Sequence, residues 1–129
     1  VESNGLLEAA RRLNKGLITF SPLAQGLLTD RYLHGIPDDS RIRTDGRFLK
    51  EANITGEKLA QIRALNDIAA ARGQSLAGMA LAWLLQKEGV TSVLVGASRP
   101  QQLLENLKAA DAPAFTADEL DAIDRAAGF

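Results

Sequence analysis

The chain has no cysteine, and among its 129 residues only one histidine, one methionine, one tryptophan, one tyrosine and four prolines. Without cysteine there is no disulfide framework, no thiolate metal site and no cysteine nucleophile. That absence fits a reducing compartment, and the expected location is the cytoplasm. One histidine leaves carboxylates as the remaining metal ligands, and none cluster at a recognisable spacing. There is no serine nucleophile elbow and no Walker-type phosphate loop. A bilayer span needs ~20 apolar residues; the longest apolar stretch, residues 76–85, is about half that. Neither sign of charge dominates: 15 Lys and Arg face 16 Asp and Glu, a net charge of -1, which argues against nucleic-acid binding as the main task. The start carries no secretory or transit pattern. Because the chain opens on Val1 rather than Met, a processed or cut N-terminus is expected.

What is present is the balance of a globular chain, 46% hydrophobic and 24% charged. A chain of this size buries roughly two thirds of its unfolded surface. Leu6, Leu7, Ala9, Ala10 and Leu13 form a helical stripe that Gly16 ends. Leu17-Ile18-Thr19-Phe20 reads as a short strand buried on both faces, stopped by Ser21-Pro22. Residues 27–33 can make a short helix. Residues 35–53 form a polar, loop-like stretch with Arg41, Arg43 and Arg47, and a loop this long is usually functional or mobile. Thr55 caps the next helix, whose stripe is Leu59, Ile62, Leu65, Ile68 and Ala69, and Gly73 closes it. Ser75 opens a helix reaching about Lys87, with Leu76, Met79, Ala80, Trp83 and Leu84 on one side. Ser92-Val93-Leu94-Val95 is a second buried-strand candidate. Gly96-Ala97-Ser98 then turns into a helix starting at Pro100 with the stripe Leu103, Leu104 and Leu107. Thr116 and Glu119 form a capping box before Leu120, Ile123 and Ala126. There is no internal repeat, low-complexity tract or domain linker.

Strands alternating with helices imply parallel strands in an α/β sheet. Two parallel strands make a poor sheet with unpaired edges, and a (β/α)8 barrel needs eight strands and ~250 residues. Residues 1–129 therefore read as one partial domain, the C-terminal part of a larger α/β fold. The missing strands lie upstream or come from another chain.

Two segments could carry chemistry. After the second strand, Gly96 lets a ligand approach the backbone, Ser98 offers a hydroxyl and Arg99 a charge. The helix behind them presents unsatisfied N–H groups, a credible phosphate site. The alternative is a plain strand–turn–helix connection in which Ser98 is the cap. After the first strand, Pro22 stiffens the loop Ser21-Pro22-Leu23-Ala24-Gln25-Gly26, and the small Ala24 and Gly26 permit close approach; the alternative is a rigid packing turn. Arg31, Arg41 and Arg43 could face a phosphate or lie solvated. His34 could be a general base, but no carboxylate sits at an obvious spacing, and it reads as a surface residue. Tyr32 reads as packing and Trp83 as core.

The run Phe20-Ser21-Pro22-Leu23-Ala24-Gln25-Gly26-Leu27-Leu28-Thr29, followed by Arg31-Tyr32, resembles the loop after strand 7 of aldo-keto reductases. Val93-Leu94-Val95-Gly96-Ala97-Ser98-Arg99-Pro100-Gln101-Gln102-Leu103-Leu104-Glu105-Asn106 resembles their strand 8 and nucleotide-binding helix. Within the family the likeness is to the branch of bacterial glyceraldehyde-phosphate reductases and potassium-channel β-subunits, and it covers nearly the whole chain. The resemblance implies a (β/α)8 TIM barrel of which about strands 7 and 8 are present. It implies NADP(H) as cofactor and hydride transfer to small aldehydes or ketones as the reaction.

Position by position, it implies that Phe20, Ser21, Pro22, Leu23, Ala24 and Gln25 line the pyrophosphate and nicotinamide side. Arg31 and Arg41 favour the cofactor phosphates, and Gly96, Ser98, Gln102, Glu105 and Asn106 hold the adenosine 2′-phosphate, ribose and adenine. Phe20 keeps the ring that often stacks on nicotinamide, and Arg31 stands where lysine is frequent. The family's catalytic Asp, Tyr, Lys and His come from the first half of the barrel and have no counterpart here; Tyr32 and His34 do not replace them. The isolated chain is therefore expected to hold cofactor without turning over substrate. A β-subunit-like nucleotide-binding regulatory module, or an inactive truncated remnant, is the alternative. The expected partner is a small carbonyl substrate, with a homo-oligomer compatible and no nucleic acid or membrane.

Overall fold

The computed structural model of the chain describes residues 4–29 and 55–128. In order, its elements are α1 (Leu6–Arg12), β1 (Ile18–Phe20), a 3-10 turn (Ala24–Gly26), α2 (Gly56–Ala71), α3 (Leu76–Gln86), β2 (Ser92–Leu94), α4 (Pro100–Leu107), a second 3-10 turn (Lys108–Asp111) and α5 (Ala117–Ala127). β1 and β2 form a two-stranded parallel sheet in which Ile18 lies opposite Ser92, Thr19 opposite Val93 and Phe20 opposite Leu94. The readings of Arg31, Tyr32, His34, Arg41, Arg43 and Arg47, and of the 35–53 loop, lie outside the described residues. Among the described residues no single helix is long and apolar enough to cross a membrane.

The described residues fall into two compact units. The first takes in Val1–Pro22 and Gly78–Ala114. Its buried residues are Leu7, Met79, Leu81, Ala82 and Ala109. Thr91 fastens the starts of the two strands: its Oγ1 accepts from the Leu17 amide at 3.1 Å, and its own amide donates to the Leu17 carbonyl at 2.8 Å. At the end of α3 the Gln86 side-chain amide donates to the carbonyls of Ala112 and Pro113, both at 3.2 Å, tying that helix to the segment after α4. Arg11 and Glu88 pair at 3.0 Å with both side chains solvated; such a pair adds little stability.

The second unit takes in Leu23–Ala77 and Phe115–Phe129, with Ile62, Ala69, Leu76 and Ile123 buried. Here α2 packs on α5. Thr55 caps α2 as expected, accepting from the Lys58 amide at 3.2 Å. Gly73 follows α2 with φ +69, a conformation that a Cβ resists, so this glycine ends the helix at little cost. The capping box of α5 is complete: Thr116 Oγ1 accepts from the Glu119 amide at 3.2 Å, and the Glu119 carboxylate accepts from the Thr116 amide at 2.8 Å. The same carboxylate pairs with Arg72, whose guanidinium lies 3.9 Å from the Phe115 ring centroid and donates to Gln74 Oε1 at 2.9 Å. The Thr116 amide first, and Arg72 second, hold the Glu119 carboxyl below the usual glutamate range.

Four expectations fail on burial or boundary. The strands are not buried on both faces: Ile18, Phe20 and Leu94 are 67%, 78% and 63% exposed, while Thr19 and Val93 are half-buried. Alternate residues point to opposite faces of a sheet, and only the face carrying Thr19 and Val93 is covered. The α4 stripe is likewise outward, with Leu103, Leu104 and Leu107 all exposed. An amphipathic helix buries whichever face a neighbour covers, and no described residue covers this one. Of the helix expected over 27–33 only residues 27–29 are described, and these are not helical; they follow a tight turn whose residues, Ala24, Gln25 and Gly26, are left-handed. Trp83 is half-buried rather than core, with the Lys87 ammonium 4.4 Å from its ring centroid.

Candidate functional site

In the first unit, parallel pairing brings the carboxyl ends of both strands to one edge. Ligands in parallel α/β folds bind at that end, because the loops there are free to vary while the strands stay fixed. Phe20 and Leu94, partners in register, are the last residues of β1 and β2. Beyond them stand Ser21, exposed and left-handed at φ +52, and Pro22, half-buried.

Beyond β2 the exposed turn Gly96-Ala97-Ser98 leads into α4. A Cβ added at Gly96 would meet nothing within 4 Å, so neither packing nor a positive φ requires glycine at this place. The residue keeps the surface of the turn low. Ser98 donates both its amide and its hydroxyl to Gln102 Oε1, each at 3.0 Å. Ser98 is therefore not the cap. The cap position is Arg99, with extended backbone and no side-chain hydrogen bond to the helix, and Pro100 takes the first helical position. The first turn of α4 thus gets no side-chain cap, and the positive end of its dipole faces the turn.

Gln102, Glu105 and Asn106 are spaced three and four apart and share one face of α4. Leu103, Leu104 and Leu107 take the opposite face. Gln102 and Asn106 are half-buried, and Glu105 is exposed.

In the second unit, Leu23 opens a tight turn. Ala24 (φ +46) and Gln25 (φ +60) are both left-handed and neither is glycine. This conformation costs roughly 1–2 kcal/mol per residue for an L-amino acid, and such strain clusters at functional loops. The turn is held by the Gly26 amide on the Leu23 carbonyl (2.9 Å), the Leu27 amide on the Ala24 carbonyl (3.3 Å) and the Leu28 amide on the Leu23 carbonyl (3.2 Å). Thr29 Oγ1 donates to the Gly26 carbonyl at 2.6 Å. Sequence reasoning missed both the left-handed pair and the threonine. The proline and the small residues announced a tight turn, but nothing in the sequence marks Gln25 as left-handed.

Phe20, Ser21, Gly96, Ser98, Gln102, Glu105 and Asn106 thus belong to one unit, and Leu23, Ala24 and Gln25 to the other. Arg31 and Arg41 lie outside the described residues. Among the described residues no group of three histidine or carboxylate side chains is placed to hold a metal ion.

The sequence profile of the Aldo/keto reductase family matches residues 1–127. The chain is 50% identical over 128 residues to an L-glyceraldehyde 3-phosphate reductase of Escherichia coli O157:H7, and 48% identical over 128 residues to that of Escherichia coli strain K12. Each alignment covers 97% of this chain and 37% of the relative. It is 39% identical over 112 residues to a probable voltage-gated potassium channel subunit beta of Oryza sativa subsp. japonica, covering 84% of this chain and 34% of that protein. The chain therefore spans little more than a third of the length of these relatives. With a family match along nearly its whole length, the chain belongs to the aldo/keto reductase family.

Proposed function

We propose that this chain is the nucleotide-holding part of an NADP(H)-dependent aldo-keto reductase that reduces small aldehydes or ketones. Its two strands would be about strands 7 and 8 of a (β/α)8 barrel, with the other strands supplied from upstream or by another chain. The observation that carries the reading is the edge where β1 and β2 end side by side at Phe20 and Leu94, with the Gly96 turn and a helix without a side-chain cap following β2. The exposed Ile18, Phe20 and Leu94 support the incompleteness, since an apolar strand face is stable only when covered. The reading places the protein in the cytoplasm.

The residues present fit a dinucleotide. The open surface above Gly96 accepts a group that a side chain would obstruct. The start of α4 turns the Gln101 amide and the positive end of its dipole toward a phosphate, since Pro100 has no N–H and the Gln102 amide is taken by the Arg99 carbonyl, and Arg99 adds a charge. In this reading Gly96, Ser98, Gln102, Glu105 and Asn106 hold the adenosine end. Phe20, Ser21, Pro22, Leu23, Ala24 and Gln25 line the pyrophosphate and nicotinamide, with Phe20 offering its exposed ring for stacking. Arg31 and Arg41 supply charge for the phosphates. The cofactor, when bound, supplies a hydride for carbonyl reduction. These residues bind and orient it and transfer no proton; the proton donor would come from the family's Asp, Tyr, Lys and His, which this chain lacks.

The test compares the pure 129-residue chain with a barrel-length protein that carries it. The barrel-length protein is expected to bind NADPH and reduce a small aldehyde, and the chain alone to show no turnover. Clear NADPH-dependent turnover by the chain alone would overturn the division of labour; a barrel-length protein that binds no NADPH would overturn the nucleotide reading.

The identity of 39% to a probable voltage-gated potassium channel subunit beta favours a second reading, a nucleotide-binding regulatory subunit. It predicts a stable complex with a channel-type membrane protein together with very slow turnover.

A further inference from the structure

The turn at residues 23–29 is the most strained segment described. It places two residues with side chains, Ala24 and Gln25, in successive left-handed conformations. Such a pair persists only where the surrounding bonds over-determine it. Three of the bonds around it are backbone to backbone, and one of those, Leu27 to Ala24, is long at 3.3 Å.

The bond between Thr29 and Gly26 differs in kind. The Gly26 carbonyl and the Leu27 amide are the two ends of a single peptide group. The amide end is held by the Ala24 carbonyl and the carbonyl end by Thr29 Oγ1, at a short 2.6 Å. With both ends held, that peptide plane cannot rotate. The preceding plane, between Gln25 and Gly26, is held at its amide end by the Leu23 carbonyl at 2.9 Å. Gln25 lies between that plane and the Ala24–Gln25 plane, whose carbonyl accepts from the Leu27 amide, so the peptide that Thr29 holds fixes one side of Gln25 and the Leu23 carbonyl the other.

We infer that Thr29 is a positioning residue for the nucleotide: its hydroxyl fixes the Gly26–Leu27 peptide and thereby the left-handed Ala24-Gln25 pair that lines the cofactor. This rests on the reading of residues 20–25 as a nucleotide-lining loop. The valine substitution tests it, since valine keeps the shape and branching of threonine and removes the hydroxyl. Serine keeps the donor and removes only the methyl group.

The experiment uses the barrel-length protein carrying this chain, with Thr29 unsubstituted, Thr29→Val and Thr29→Ser. NADPH affinity is read by nucleotide fluorescence, and loop order by amide hydrogen exchange at Leu27 and Leu28. The valine variant is expected to bind NADPH about fivefold more weakly, the effect of one net hydrogen bond, and to exchange faster at both amides. The serine variant is expected to match the unsubstituted protein in both. An unchanged affinity in Thr29→Val, or a serine variant as weak as the valine variant, overturns the positioning role while leaving the nucleotide reading intact. Failure of the unsubstituted protein to bind NADPH overturns the reading itself, and the positioning role with it.

Discussion

Ser98 and Gln102 form a closed pair in which one acceptor, Gln102 Oε1, takes both the amide and the hydroxyl hydrogen of Ser98 at 3.0 Å each. This bond ties the turn after β2 to the first turn of α4, and so fixes the turn against the positive end of that helix. It also occupies the only hydrogen of the Ser98 hydroxyl, which leaves that oxygen an acceptor.

Gln102→Leu removes the tether from an exposed turn. Water can replace the lost bonds there, so the melting temperature should change little. NADPH affinity of the barrel-length protein should fall a few-fold, roughly 1 kcal/mol. A fluorescence titration beside a thermal melt separates the two, and a large drop in melting temperature with unchanged affinity would assign the pair to stability alone.

Charge reversal at Arg41 tests the cofactor preference. Arg41→Glu in the barrel-length protein should weaken NADPH far more than NADH, because only NADPH carries the 2′-phosphate that a guanidinium pairs with. Equal weakening of both nucleotides would count against Arg41 as a phosphate partner.

Thr116→Ala removes the side-chain acceptor of the α5 capping box. The expected cost is about 1 kcal/mol, read as a lower denaturant midpoint with an unchanged slope. A larger loss is expected for Leu81→Ala, since Leu81 is 2% exposed in the core of its unit; about 2–5 kcal/mol is typical for such a cavity. If the alanine at 116 cost more than the one at 81, the cap would be holding more than its own helix end.

Glu119 makes the second unit sensitive to acid. Its carboxyl is held below the usual glutamate range by the Thr116 amide and by Arg72. A folded-state value below the unfolded one means stability that is present above the unfolded value and lost as pH falls through the folded one. Unfolding followed by circular dichroism should therefore show stability dropping below the ordinary carboxylate range. Glu119→Gln should flatten that part of the profile, and an identical profile in the variant would place the acid sensitivity elsewhere.

The sequence by itself determined every helix start that has a chemical marker. Thr55, Pro100 and the Thr116–Glu119 pair each act through neighbours within four residues, so the local chain is enough to read them. It determined the parallel α/β order too, because strands separated by helices return in the same direction. The motifs around Phe20 and Gly96 were legible for the same reason: strand, turn and helix each leave a local pattern. Tertiary structure alone decided which faces are covered. Ile18, Phe20, Leu94 and the α4 leucines look like core by composition, yet all are exposed, since burial depends on what lies opposite and not on the residue itself. Tertiary structure also decided that Ser98 bonds Gln102 instead of capping α4, and that Ala24 and Gln25 turn left-handed. Those outcomes depend on where a partner atom sits once the chain has turned, a distance that residue types alone do not encode.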